Sequence, residues 1–95
     1  MNGGISNVAV VRKTFGVVVR AHRVKRGLSL EQVVADARVN AWEEIEQGKR
    51  APDLTTVISI SRVLGMPAAD LITEVSRRLA EPEGLTRRLA RSLDW

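Results

Sequence analysis

These 95 residues contain no cysteine, which excludes disulfides and thiolate metal sites. A single histidine, His22, excludes a clustered imidazole site. Aromatic residues make up only 3% of the chain, so any core is aliphatic. No apolar run approaches the roughly 18 residues of a membrane span. Arg12 and Lys13 interrupt the apolar residues near the N-terminus, so no signal peptide is expected and the expected location is cytoplasmic. There is no nucleophile–base pair and no phosphate-binding glycine loop. Glu43 and Glu44 come nearest to paired carboxylates, but adjacent residues on a helix do not face each other. The expectation is a non-enzymatic protein with no cofactor, no metal and no small-molecule ligand.

The hydrophobic fraction of 44% is enough for a globular fold and too high for a disordered tail. The length fits one small domain, whose modest core gains from oligomerisation. The net charge of +4 suggests a polyanionic partner, but it is unevenly spread. Arg12, Lys13, Arg20, Arg23, Lys25 and Arg26 form a basic stretch without an acid. From Glu31 to Glu74 the sign reverses, with Arg38, Lys49, Arg50 and Arg62 set against eight acids. From Arg77 onward the chain is basic again.

Apolar residues recur at helical spacing and no strand pattern appears, so the chain reads as all-α. Residues 1–7 read as a flexible N-terminus, 8–80 as the folded domain and 81–95 as an extension. The first helix is expected over about 8–26, with Val8, Val11, Phe15, Val18, Val19 and His22 on one face. Gly27 stands where a C-cap glycine belongs. Ser29-Leu30-Glu31-Gln32 is a capping box that opens a second helix running to about Ala37, burying Leu30, Val33, Val34 and Ala37. Asn40-Ala41-Trp42-Glu43 has the same form and is expected to open a short third helix ending at Gly48. Pro52-Asp53 starts a fourth, with Leu54, Val57, Ile58, Ser61 and Leu64 inward and Gly65 as terminator. Met66-Pro67 begins a fifth, whose Leu71, Ile72, Val75 and Leu79 form an apolar stripe. Beyond Pro82 and Gly84, residues 84–94 read as a short amphipathic helix.

The block Ile45-Glu46-Gln47-Gly48-Lys49-Arg50-Ala51-Pro52 follows Phe15-Gly16, Val19-Arg20, Arg23 and Gly27-Leu28-Ser29, and precedes Val57-Ile58, Leu64-Gly65 and Leu71. This series resembles the Cro/cI-type (XRE) helix-turn-helix family of DNA-binding regulators, from about Phe15 to Ile72. The resemblance implies a five-helix, lambda-repressor-like bundle, here with the C-terminal amphipathic helix added. It also implies sequence-specific binding of double-stranded DNA, as a homodimer on pseudo-palindromic sites. Ser29, Lys49 and Arg50 match family positions that touch phosphate, although as residues they also read as a cap and a solvated turn. Glu46 matches an inward carboxylate that pairs with an arginine on the first helix, here Arg23.

The third helix departs from the family pattern. About two residues are missing between Asn40 and Trp42, in the first turn of the recognition helix. Ala41, Glu43 and Glu44 remain outward, and Arg38 replaces the usual turn glycine. Arg38, Asn40, Ala41 and Glu44 are therefore the candidate base-reading or turn contacts. A glutamate can accept from cytosine N4, but two adjacent carboxylates are repelled by a phosphate-lined groove. Trp42 is expected to fill the space left by the shortened helix, and His22 to be a satisfied, partly buried side chain. The acidic helix leaves a second class of function open: a helix-turn-helix fold serving as a protein-interaction module, antitoxin-like or a regulatory adaptor. The discriminator is where the basic residues fold: Arg12, Lys13, Arg20, Lys25 or Arg26 flanking the third helix keeps DNA binding open, and their lying opposite it favours the interaction module. Leu85, Leu89 and Leu93, four residues apart, are expected to form the dimer interface, the alternative being that they fold back on Val75 and Leu79.

Overall fold

The computed structural model describes residues 8–37, 39 and 41–80. The expected segments 1–7 and 81–95 lie outside them, as do Arg38, Asn40, Leu85, Leu89 and Leu93. The described residues form five helices and no strand: α1 (Val8–Lys25), α2 (Leu30–Ala37), α3 (Trp42–Glu46), α4 (Leu54–Val63) and α5 (Ala68–Ala80). No single helix among them is long and apolar enough to cross a membrane.

Glycines and caps punctuate the chain. Gly27, Gly48 and Gly65 adopt φ of 70°, 76° and 69°, the left-handed region that ends a helix cheaply only at glycine. The capping box that opens α2 is reciprocal. The Gln32 amide donates to Ser29 Oγ (3.1 Å), and the Ser29 amide donates to Gln32 Oε1 (2.7 Å). Asp53 caps α4 by accepting from the Thr56 amide at 2.8 Å. That bond holds the Asp53 carboxyl below its ordinary pKa.

α1 packs on α3 and α5, α2 on α3 and α4, and α4 on α5. The core between them is aliphatic apart from Phe15 and Trp42. Each fully buried Ile, Leu or Val contributes about 1.5–3 kcal/mol relative to exposure. α1 meets α3 at Gly16, where a Cβ would stand 2.5 Å from the carbonyl oxygens of Ile45 and Glu46. Only glycine permits so close an approach.

Several expected inward residues are exposed. Val8 and Val11 lie on the α5 side of α1 but line an open groove there, at 53% and 40% exposure. On α4 the buried arc is rotated toward Ile60: Val57, Ile60, Ser61 and Leu64 are inside, whereas Leu54 and Ile58 are exposed. Ile72 sits at the edge of the α5 stripe of Leu71 and Val75 and is also exposed.

Candidate nucleic-acid interface

The short helix α3 is fixed from its inner side. Arg23 on α1 grips Glu46 through two donors: Nε to Oε2 at 2.6 Å and Nη2 to Oε1 at 3.0 Å. Its Nη1 donates to the Leu28 carbonyl at 2.9 Å, tying in the turn before α2. Both side chains are largely buried, at 13% and 7% exposure. The hydrogen bond that Arg23 donates to Glu46 raises the Arg23 pKa above its already high ordinary value, so the guanidinium is permanently charged. Trp42, fully buried one turn earlier on α3, donates its indole N–H to Glu46 Oε2 at 2.7 Å. It fills the core as expected. The indole–carboxylate bond was not foreseen, although i,i+4 spacing on a helix was the available signal.

The entry to α3 differs from expectation. Ala41, not Asn40, is the N-cap, and it makes no side-chain cap bond. The Trp42 amide donates instead to the Val39 carbonyl at 3.2 Å, so a backbone turn does the work of a capping box. The Glu43 carboxylate is engaged by Gln47 Nε2 (3.4 Å). Ala41 is also not an outward side chain: it is half-buried and packs against the core.

The outer side of α3 presents Glu43 and Glu44, both exposed. Glu44 Oε1 accepts from Arg50 Nε at 3.2 Å, and both partners are more than half exposed. Lys49 and Arg50 follow Gly48 on the surface. Arg12 Nε donates to the Gly48 carbonyl at 3.3 Å, and a Cβ on Gly48 would stand 2.7 Å from Lys13 Cγ. Arg12 and Lys13, in the N-terminal half of α1, therefore flank the end of α3, whereas Arg20 and Lys25 lie exposed elsewhere on α1. Ser29, exposed at the start of α2, uses its hydroxyl as the cap.

Between α3 and the start of α4 lies a cleft of about 340 Å³, bordered by Ala41, Arg50, Thr55, Thr56 and Ser59. Its hydroxyls beside Arg50 were missed by sequence reasoning, because nothing in the spacing of Thr55 and Ser59 sets them apart from other helix-surface residues. Arg38 and Asn40 fall outside the described residues. Among those described, no group of three or more His, Cys, Asp or Glu side chains could hold a metal ion.

His22 joins α1 to α5. Its Nε2 lies 2.7 Å from Glu74 Oε1, and Arg26 Nη1 lies 3.0 Å from its Nδ1. An arginine can only donate, so Nδ1 accepts and Nε2 carries the proton toward Glu74. The His22 bond holds the Glu74 carboxyl below its ordinary range.

A helix-turn-helix domain family matches residues 14–72, more than half of the chain. The chain belongs to this family. It is 32% identical over 81 residues to the transcriptional regulator ClgR of Mycobacterium tuberculosis, covering 83% of this chain and 72% of that protein. It is 30% identical over 82 residues to the cryptic phage CTXphi transcriptional repressor RstR of Vibrio cholerae, covering 84% and 74%. The crystal structure of the clp gene regulator ClgR from Corynebacterium glutamicum superposes with a TM-score of 0.73 at 26% identity, over 90% of this chain and 92% of that one.

Proposed function

We infer that this helix-turn-helix protein is a DNA-binding transcriptional regulator of the Cro/cI type that holds its duplex chiefly by the phosphates. The observation that carries this reading is the contrast around α3. Arg12, Lys13, Lys49 and Arg50 gather at its C-terminal end, while its outward side chains are Glu43 and Glu44. Cations at that place suit the backbone, and carboxylates suit few base edges and no phosphate. Ser29 at the start of α2, with Lys49 and Arg50, forms the phosphate contact set. Arg38, Asn40, Ala41 and Glu44 complete the reading surface, with Ala41 contributing through its backbone. The folded unit is 8–80, it works in the cytoplasm, and it acts without catalysis or cofactor.

The same reading makes it a homodimer joined through Leu85, Leu89 and Leu93. An apolar groove of about 320 Å³ lined by Val8, Val11, Ile72, Val75 and Leu79 lies beside the end of α5; the partner's leucine stripe seated there would make the dimer, and the chain's own stripe seated there would be the fold-back alternative. A leucine stripe of about three turns is too short to stand alone and needs such a seat.

Selection of bound sequences from a random duplex pool at two salt concentrations tests the DNA reading. Retention that falls steeply with salt and a weak consensus are expected. No retention at low salt would overturn it. Sedimentation of the chain truncated after Glu81 tests the dimer: a monomer is expected, and a persisting dimer would place the interface elsewhere.

A further inference from the structure

We propose that the outer face of α1 is a docking surface for an acidic amphipathic helix of another protein, separate from the reading surface. α1 meets α3 through Gly16 and Arg23 and α5 through His22. The opposite face carries Thr14, Val17, Ala21 and Val24, spaced three, four and three residues apart. This is the a/d spacing of a coiled-coil seam. Val17 and Val24 are 52% and 58% exposed, and Val10 extends the series by another turn at 45%. The stripe spans about 20 Å of helix at 1.5 Å per residue.

Charge decides the occupant. Arg20 borders one edge of the stripe and Lys25 the other, while Lys13, seven residues before Arg20, lies against Gly48 at the end of α3. None of the three enters an ion pair among the described residues. α1 contains no acid to neutralise them. A second copy of this face would set cation against cation in either orientation. The chain's own C-terminal segment brings Arg87, Arg88 and Arg91, with the same conflict. DNA would satisfy the cations but leave the β-branched methyl groups between them without a partner. A helix with aliphatic residues at a and d and Glu or Asp at the flanking positions satisfies both stripe and edges. Two heptads bury little area, so the complex is of micromolar strength, suited to a transient contact.

The test uses the full chain and a fluorescein-labelled synthetic peptide of about three heptads, with Leu at a and d and Glu at the flanking positions. Anisotropy should show saturable binding with Kd in the range of about 1–100 µM. Val17→Gln with Val24→Gln, and separately Arg20→Glu with Lys25→Glu, should each weaken it at least about tenfold. Gln and Glu are good helix formers, so both variants should keep the parent's thermal transition by circular dichroism. The valine variant, which changes no charge, should also keep the parent's affinity for DNA. Four results would overturn the proposal. They are absence of binding at about 100 µM, equal binding of a peptide with Lys at the flanking positions, variants that bind the peptide as the parent does, or a charge variant that loses DNA rather than peptide. A valine variant that changes the sedimenting mass while keeping the peptide would assign the stripe to a second copy instead.

Discussion

The two sides of α3 carry the same kind of side chain in opposite surroundings. Its inner side holds Trp42, Ile45 and Glu46, and Glu46 receives three hydrogen bonds from two buried donors. Its outer side holds Glu43 and Glu44, whose partners Gln47 and Arg50 are exposed. Both sides carry carboxylates, yet the physics is opposite. A buried carboxylate must be fully satisfied, and its loss strands a guanidinium in low dielectric. An exposed pair is screened by water and contributes about 0–1 kcal/mol. Five helical residues suffice for α3 because its position is set from within, which leaves its outer chemistry free to vary.

The sharpest way to break this contrast is at the clamp. Arg23→Ala and Glu46→Ala should each destabilise by about 3–5 kcal/mol in denaturant unfolding. The double variant should lose less than the sum, because the second change removes an already stranded charge. Strict additivity would show that the two groups do not couple.

A smaller effect is expected where α1 touches the backbone of α3. In Gly16→Ala the new methyl meets two carbonyl oxygens that cannot rotate away. Overpacking of this kind costs about 1–3 kcal/mol. A melting temperature equal to the parent's would show that α3 shifts freely, against the account of a fixed inner side.

Glu74 extends the comparison to the α1–α5 seam. Its folded-state pKa is lowered, first by the bond to His22. Its contribution to stability is therefore complete above the ordinary glutamate range and is lost as pH falls through the lowered folded value. Glu74→Gln should reduce stability at neutral pH and flatten the acid limb of the stability–pH curve. A variant with the parent's acid limb would remove Glu74 from that limb. The smallest change is expected on the outer side: Glu44→Gln should move stability by less than about 0.5 kcal/mol. A larger loss in chemical denaturation would show that the Glu44–Arg50 pair helps to hold α3.

Much of this arrangement is legible in the sequence where local chemistry decides it. Ser29 with Gln32, Asp53, and the glycines at 27, 48 and 65 act over a few residues, and they mark element ends correctly. The Arg23–Glu46 pair is legible only through family resemblance, since 23 residues separate its partners. Periodicity fails at Val8, Val11 and Leu54 because it indicates a face but not where neighbouring helices stop. On α4 it admits two overlapping arcs, and the buried one includes Ile60. The start of α3 fails for another reason. Five residues give no period to read, and an Asn-x-x-Glu pattern looked like a cap where the Val39 carbonyl accepts the Trp42 amide. The charges around α3 are legible in the sequence, but the half-buried placing of Ala41 is not, because a lone alanine beside a five-residue helix gives no period to read.

The central claim is that phosphates rather than bases hold the DNA. It is tested most directly by the salt dependence of binding to one duplex, for the parent and for Lys49→Ala with Arg50→Ala. The account predicts a steep linear fall of log K with log salt, and a slope shallower in the variant by roughly 0.9 for each phosphate contact removed. A tight complex with a nearly flat salt dependence, or a variant with the parent's slope, would contradict it.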